Sequence, residues 1–206
     1  MKKRQKIAVD IDDVLADSTD ALRILVNEST SVQLEQHHYR VPGEYWSYYD
    51  RIWAEHGIAD EVELSELERG MVEDQSHIRP IYGAQEAIKS LSMDYDIAFL
   101  SSRSDELEVA TIAWLMDHFE FGVSHEELYL IGNHKTTANP VSKGEKCREI
   151  GARWLIDDNP QHCLSAIEHG TDAILFGSYG WHIEVPDHLV KLTSWSGITE
   201  FLHAKA

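Results

Sequence analysis

Cysteine is scarce: Cys147 and Cys163 are the only two in 206 residues, and no CxxC occurs. That excludes a disulfide framework and suits a reducing compartment, so a cytoplasmic protein is expected. Cations are also few, with 18 Lys+Arg against 36 Asp+Glu and a net charge of −18. Affinity for nucleic acids comes largely from cationic contacts to phosphates, so this balance weighs against a DNA or RNA partner. An anionic small substrate still fits, provided a metal and one or two local cations dominate its site. Elsewhere the acidity serves solubility. Long apolar runs are missing as well. The start, MKKRQKIAVDIDD, has three apolar residues before Asp10, too few for a secretory signal. No run approaches transmembrane length, so no membrane partner is expected. The twelve histidines form no zinc pattern, since His37-His38 and His162-Cys163 lack spaced companions. There is no Walker A motif, no GxGxxG after a strand, no internal repeat and no low-complexity segment.

What remains is an ordinary soluble composition, 43% hydrophobic and 26% charged, of a length that suits one domain with a small insertion. Short apolar, β-branched runs predict strands at 6–10, 95–102, 128–132, 152–157 and 172–177. Helical patterns fall at 17–28 (Asp17 and Ser18 as caps; Leu22, Leu25 and Val26 as the apolar face), 84–91, 105–118, 160–169 and 196–204. On 105–118 the spacing of Val109, Ile112, Ala113 and Met116 marks the expected buried face. SKGEKCREIG has Ser142 three residues before Glu145, a capping-box pattern, and Gly151 as its stop. Alternation of strands and helices implies an α/β fold with a Rossmann-like parallel sheet covered on both faces. Residues 29–79 show helical patterns at about 43–56 and 61–73 and no strand. The expected organisation is a core of residues 1–15 and 80–206, with a small all-helical cap, 16–79, inserted after the first strand.

Ligands of an open parallel sheet bind beyond the carboxyl ends of its strands. There the chain carries Asp10-Ile11-Asp12, then Ser101-Ser102-Arg103, then Gly132-Asn133-His134, then Asp157-Asp158. Two carboxylates about 4 Å apart repel by about 4 kcal/mol at an effective dielectric near 20, and a hard divalent cation removes that cost. Mg²⁺ takes oxygen ligands, commonly one or two carboxylates and a substrate phosphate. Hydroxyls of Ser101 and Ser102 can donate to phosphate oxygens. Lys143, first in a helix capped by Ser142, sits at an anion-attracting helix start. A metal, an anion cradle and a spare carboxylate together suit phosphoryl transfer.

These motifs resemble the haloacid-dehalogenase-like (HAD) phosphatase superfamily. IAVDIDDV matches its apolar strand followed by Asp-x-Asp; AFLSS, Lys143 and WLIDDNP match its later motifs, in order, over residues 7–160. Val14, DVLADS, LIDDNP, PIYGAQEAIKSL and the late SW are similar to its 5'-(deoxy)nucleotidase branch. LSSR and IDD also resemble the phosphatase domain of polynucleotide kinase/phosphatase. The resemblance implies a Mg²⁺-dependent phosphomonoesterase acting on a small phosphorylated substrate, with a nucleoside monophosphate favoured. Asp10 would be the nucleophile that forms an aspartyl-phosphate. Asp12 would be the acid and base, its carbonyl also touching the metal. Ser101, Ser102 and Lys143 would hold phosphate. Asp10, Asp12 and Asp157 or Asp158 would form the metal site, with the last two not separable by sequence. The rival functions are a polynucleotide 3'-phosphatase, another small-molecule phosphatase, and a non-catalytic module that binds metal or phosphate.

Plainer roles stand beside these. Asp13 is expected to be solvated or capping. Lys146 and Lys135 rival Lys143, and Ser101 or Ser102 could cap the next helix. Arg103 reads either as a substrate contact or as half of a surface ion pair. GSYG at 177–180 reads as a loop. Tyr45, Tyr48, Tyr49 and Ile52 share a helical face and read as cap core, with stacking on a nucleobase as the sharper alternative.

Overall fold

The computed structural model describes residues 4–119, 127–132 and 141–205. Among these residues, six parallel strands form one sheet in the order β3-β2-β1-β4-β5-β6. They are β1 Gln5–Val9, β2 Tyr95–Ser101, β3 Leu128–Leu130, β4 Ala152–Asp157, β5 Asp172–Phe176 and β6 Val190–Leu192. Ile7, Ala8 and Val9 are buried without exposure, as strands covered on both faces require. Five of the six strands lie where the apolar runs predict them. The short sixth, partly exposed and only three residues long, carries no run that could be read.

The chain builds β1, β2 and β3 towards one edge, then returns to β1's other side for β4, β5 and β6. The order therefore reverses at β1, and a crevice opens at that switch point. Parallel register sets Val9 opposite both Phe99 and Ile156. The ends of β1, β2 and β4 thus arrive side by side, and the Asp10 N–H still donates to the Ile156 carbonyl at 2.9 Å.

Between β1 and β2 lie α1 Ser18–Ser29, α2 Tyr48–Glu55, α3 Leu64–Glu73 and α4 Ala84–Leu91, with 3-10 turns at Gln36–Arg40, Tyr45–Ser47 and Gln75–His77. The helical pattern expected over 43–56 thus divides into a 3-10 turn and α2. The two ends of the inserted stretch are zipped together: Ala16 bridges to Pro80, the Asp17 N–H donates to the Arg79 carbonyl at 2.9 Å, and the Ile81 N–H to that of Leu15 at 2.7 Å. One apolar cluster joins strand residues Ile7, Val9 and Ile156 to Leu22, Tyr48, Ile52 and Met71 of the insertion. The insertion therefore packs on the sheet's own core.

The remaining helices are α5 Glu108–His118, α6 Lys143–Ile150, α7 Pro160–Glu168 and α8 Trp195–His203. None of the described helices is long and apolar enough to cross a membrane. The helix expected over 105–118 forms, but of its four spaced apolar positions Ile112 alone is buried. Val109 and Met116 are exposed, and Thr111, Ile112, Trp114 and Leu115 are buried. This helix has apolar residues all round, so two stripes compete. The one carrying Trp114 wins because its indole N–H reaches the Ile78 carbonyl at 3.1 Å.

At α6 the capping box forms as expected. Ser142 Oγ accepts from the Glu145 N–H at 3.1 Å, and the Glu145 carboxylate accepts from the Ser142 N–H at 2.8 Å. Gly151 ends the helix with φ of 69°. Gly144, next to Lys143, lets α6 lie directly on α7, because a Cβ there would collide with the Ser165 backbone carbonyl. Gly144→Ala is accordingly expected to cost about 1–3 kcal/mol of stability, as overpacking against backbone does. Urea unfolding measures it, and an unchanged midpoint would contradict the close packing.

Candidate active site

Where β1 and β4 end, Asp10 and Asp157 lie side by side, and α6 delivers a lysine between them. Lys143 Nζ is 2.6 Å from Asp10 Oδ2 and 2.7 Å from Asp157 Oδ2. The three groups are 2%, 5% and 0% exposed for Lys143, Asp10 and Asp157. Burial would lower the Lys143 pKa, but the two carboxylates outweigh it and raise it above its usual value. Lys143 is thus the cation of the centre. Lys146 instead pairs with Glu149 at 2.7 Å on the surface, and Lys135 lies outside the described residues, as do Asn133 and His134.

The paired acids of β4 separate into two roles. Asp157 is saturated: Oδ2 holds Lys143, while Oδ1 accepts from the Asn159 N–H at 2.9 Å and lies 3.1 Å from His162 Nδ1. Burial would raise its pKa, yet Lys143 and His162 hold it well below the ordinary carboxylate range. Asp158 is the opposite. It is 4% exposed, and no hydrogen bond from a described residue reaches its carboxylate. Burial, then the charges of Asp157, Asp10 and Asp13, push its pKa well up. Its backbone is held firmly: the Trp181 indole N–H donates to its carbonyl at 3.1 Å, and His182 Nε2 lies 2.6 Å from the same oxygen.

A buried carboxylate without donors, facing other carboxylates, fits a hard divalent cation. The one group of potential metal-ligating atoms found close together among the described residues is Asp10, Asp157 and His162, within 4.8 Å of one another. The Lys143 ammonium already sits between the first two of these; the Asp158 carboxylate lies outside that group, and it and the remaining lone pairs of Asp10 are the oxygens still free for a cation.

Asp12 meets a partner that the sequence reading did not assign. Arg103 is buried and grips it in two places, Nε to Oδ2 at 3.0 Å and Nη2 to Oδ1 at 2.7 Å. Thr111 Oγ1 accepts from Nη1 at 3.0 Å, and the Ser18 hydroxyl donates to Asp12 Oδ1 at 2.6 Å. Burial opposes ionisation of Asp12, but Arg103 and Ser18 outweigh it and lower its pKa. Arg103 is thus half of a buried ion pair rather than of a surface one.

Ser101 is buried at the end of β2, where its Oγ accepts from the Arg103 N–H at 3.2 Å; Ser102 is half-buried beside it. Neither caps a helix, because Ser104 holds the cap position before the turn at Asp105–Leu107. Asp13 is buried rather than solvated, and it does the capping. Its carboxylate accepts from the Thr19 N–H at 3.0 Å and the Thr19 hydroxyl at 2.8 Å, while Asp17, in the cap position of α1, makes no side-chain cap bond. Its backbone takes φ of 55°, which Asp tolerates better than most residues, and the Tyr179 hydroxyl donates to its carbonyl. Burial pushes its carboxyl up to about 7.

Of the four residues on the expected helical face, Tyr48 and Ile52 are buried, and Tyr45 and Tyr49 pack half-buried against them, as cap core was expected to do. His162, Trp181 and His182 were not assigned to the centre. Only His162 had a local signal, five residues after Asp157 in the first turn of α7.

No protein-family model matches the sequence, and no curated protein matches it. Solved structures do share its shape. A HAD family hydrolase of Deinococcus radiodurans with bound phosphate and sodium is 13% identical and superposes with a TM-score of 0.63, over 98% of this chain and 96% of that one. A HAD-hydrolase of Bacillus subtilis bound to magnesium is 14% identical, with a TM-score of 0.61 over 98% and 99%. A protein of Haemophilus somnus named as a predicted phosphoglycolate phosphatase is 14% identical, with a TM-score of 0.59 over 98% and 99%. The chain has the fold of haloacid-dehalogenase-like hydrolases.

The buried acids give the metal-free chain a pH signature. Asp10 is pushed up to about 6, mainly by burial, Asp13 to about 7, and Asp158 is also raised. The folded chain therefore binds protons between about pH 4 and 7 that the unfolded chain has released, and these groups lower stability as pH rises through that window. His182, held down to about 4 by burial, acts in the other direction with one proton against three. In chelator, the urea midpoint is expected to be higher at pH 5 than at pH 7.5; the reverse order would contradict the electrostatics of the site.

Proposed function

We propose that the chain is a Mg²⁺-dependent phosphomonoesterase with Asp10 as its nucleophile. The observation that carries this reading is the placement of Asp10: at the switch point, bound to the Lys143 ammonium, and beside the donor-free carboxylate of Asp158. An Asp10 carboxylate oxygen attacks phosphorus while the ester P–O bond breaks, leaving an aspartyl-phosphate. Asp12 protonates the departing oxygen and then takes a proton from the water that releases phosphate. The Arg103 clamp favours the ionised form of Asp12, which suits the second step; for the first, Asp12 must turn from Arg103 towards the leaving oxygen. Lys143 faces the phosphoryl charge, and Ser101 and Ser102 offer hydroxyls at the end of the neighbouring strand. Asp10, the Asp12 carbonyl and Asp158 would hold the cation, with Asp157 acting through Lys143 instead. When bound, the ion neutralises charge on the phosphoryl oxygens.

Residues 16–79 would serve as the cap that chooses the substrate. Nucleoside monophosphates are the first reading, supported by the sequence resemblance and by the ring-rich turn at Tyr45–Ser47 close to the centre. A small phosphorylated acid is the second. It is supported by the name of the Haemophilus somnus neighbour and by how little of the centre is open, with Asp10 5% exposed.

A phosphate-release screen over nucleoside monophosphates, sugar phosphates, 2-phosphoglycolate and p-nitrophenyl phosphate, with and without chelator, tests the proposal. Chelator should stop turnover, and Asp10→Asn should lower kcat by several orders of magnitude without loss of folding. Full activity in Asp10→Asn would refute the mechanism.

A further inference from the structure

The insertion brings three tyrosines together near the centre, and they are tied very differently. The Tyr48 hydroxyl donates to the carbonyls of Tyr39 at 2.9 Å and Val41 at 2.8 Å. The Tyr49 hydroxyl pairs with Thr19 Oγ1 at 2.7 Å. Both are used up in holding the insertion to itself and to α1. The Tyr45 hydroxyl makes no hydrogen bond to a described residue.

The Tyr45 ring is nevertheless held in place. It stands edge-on to Trp181, with centroids 5.8 Å apart at 79°, and to His162, 6.5 Å apart at 68°. Each of those rings holds one residue of the pair at the end of β4. His162 Nδ1 lies 3.1 Å from Asp157 Oδ1, and the Trp181 N–H donates to the Asp158 carbonyl. Tyr45 is thereby seated beside the Asp157–Asp158 pair on two rigid anchors, within electrostatic reach of Asp158, Asp10, Asp157 and Asp13. A neutral phenol offers one strong donor, and no described residue accepts it here. A phosphoryl group at Asp10 supplies the missing acceptor.

We propose that Tyr45 is the insertion's direct contact with the substrate, donating a hydrogen bond from its hydroxyl to an oxygen of the phosphoryl group held at Asp10. This rests on Asp10 as the phosphoryl-accepting residue. It makes Tyr45 a substrate-binding residue supplied by the insertion. Phosphate binding and the placement of the 45–47 turn are then linked, because the ring seated on Trp181 and His162 carries the hydroxyl.

Tyr45→Phe removes the hydroxyl and keeps the ring on its anchors. The full-length chain and this variant are compared, with Mg²⁺ present, for affinity towards inorganic phosphate by calorimetry and for KM and kcat on p-nitrophenyl phosphate. Phosphate affinity is expected to weaken about tenfold, as loss of a hydrogen bond to a charged group does, with KM rising in step and the melting temperature unchanged. Phosphate affinity within twofold of wild type would overturn the proposal, as would a fall in kcat without any loss of affinity. Calorimetry does not depend on turnover. A chain that binds phosphate through Tyr45 but hydrolyses nothing would therefore refute the Asp10 mechanism and leave the Tyr45 contact standing.

Discussion

Lys143 sets one buried ammonium between two buried carboxylates, 2.6 Å from Asp10 and 2.7 Å from Asp157. The rest of the site depends on that bridge. Without it the ends of β1 and β4 would bring two like charges together in a region of low dielectric, and breaking a buried pair of this kind typically costs about 3–5 kcal/mol. The means of placing it are local. Ser142 and Glu145 start α6 at one defined residue, Gly144 lets the helix lie flat on α7, and the ammonium arrives within reach of both strand ends. The nucleophile candidate, its counter-ion and the sheet's stability are one arrangement.

One lysine cannot neutralise every acid in the loop. Arg103 takes Asp12, Thr19 takes Asp13, and Asp158 is left over. This division explains why two adjacent acids at the end of β4 differ so much. Asp157 is a structural partner of Lys143 and His162, whereas Asp158 has its backbone bound by Trp181 and His182 and its carboxylate free. In the proposed phosphatase, the repulsion among these acids would become affinity for a cation. The insertion completes the enclosure, with Tyr45 edge-on to the two rings that anchor the paired acids.

The features legible in the sequence were those whose cause is local. The buried runs at β1 and β4, the Ser142–Glu145 spacing and the acids at strand ends each carry their signal within a few residues. Lys143 could be preferred over Lys146 because a cap defines where a helix begins. What stayed hidden depends on distant pairing. Arg103 meets Asp12 across 91 positions, and Trp181 meets Asp158 across 23, with no spacing to mark either contact. His162 has no companions at zinc spacing, and its partner is instead a carboxylate. On α5 the pattern itself misled, since an all-round apolar helix has no unique face until Trp114 finds the Ile78 carbonyl. Asp157 and Asp158 could not be told apart until the lysine's position was known.

The proposed cation site holds a single ion through Asp158, the acid that Lys143 leaves unpaired. Calorimetric titration of the chelator-stripped chain with Mg²⁺ tests it most directly, with Asp158→Asn and Asp13→Asn measured alongside. The account predicts one ion bound per chain by wild type and by Asp13→Asn, and binding lost in Asp158→Asn. Equal Mg²⁺ binding by wild type and Asp158→Asn, or none by wild type, would contradict it.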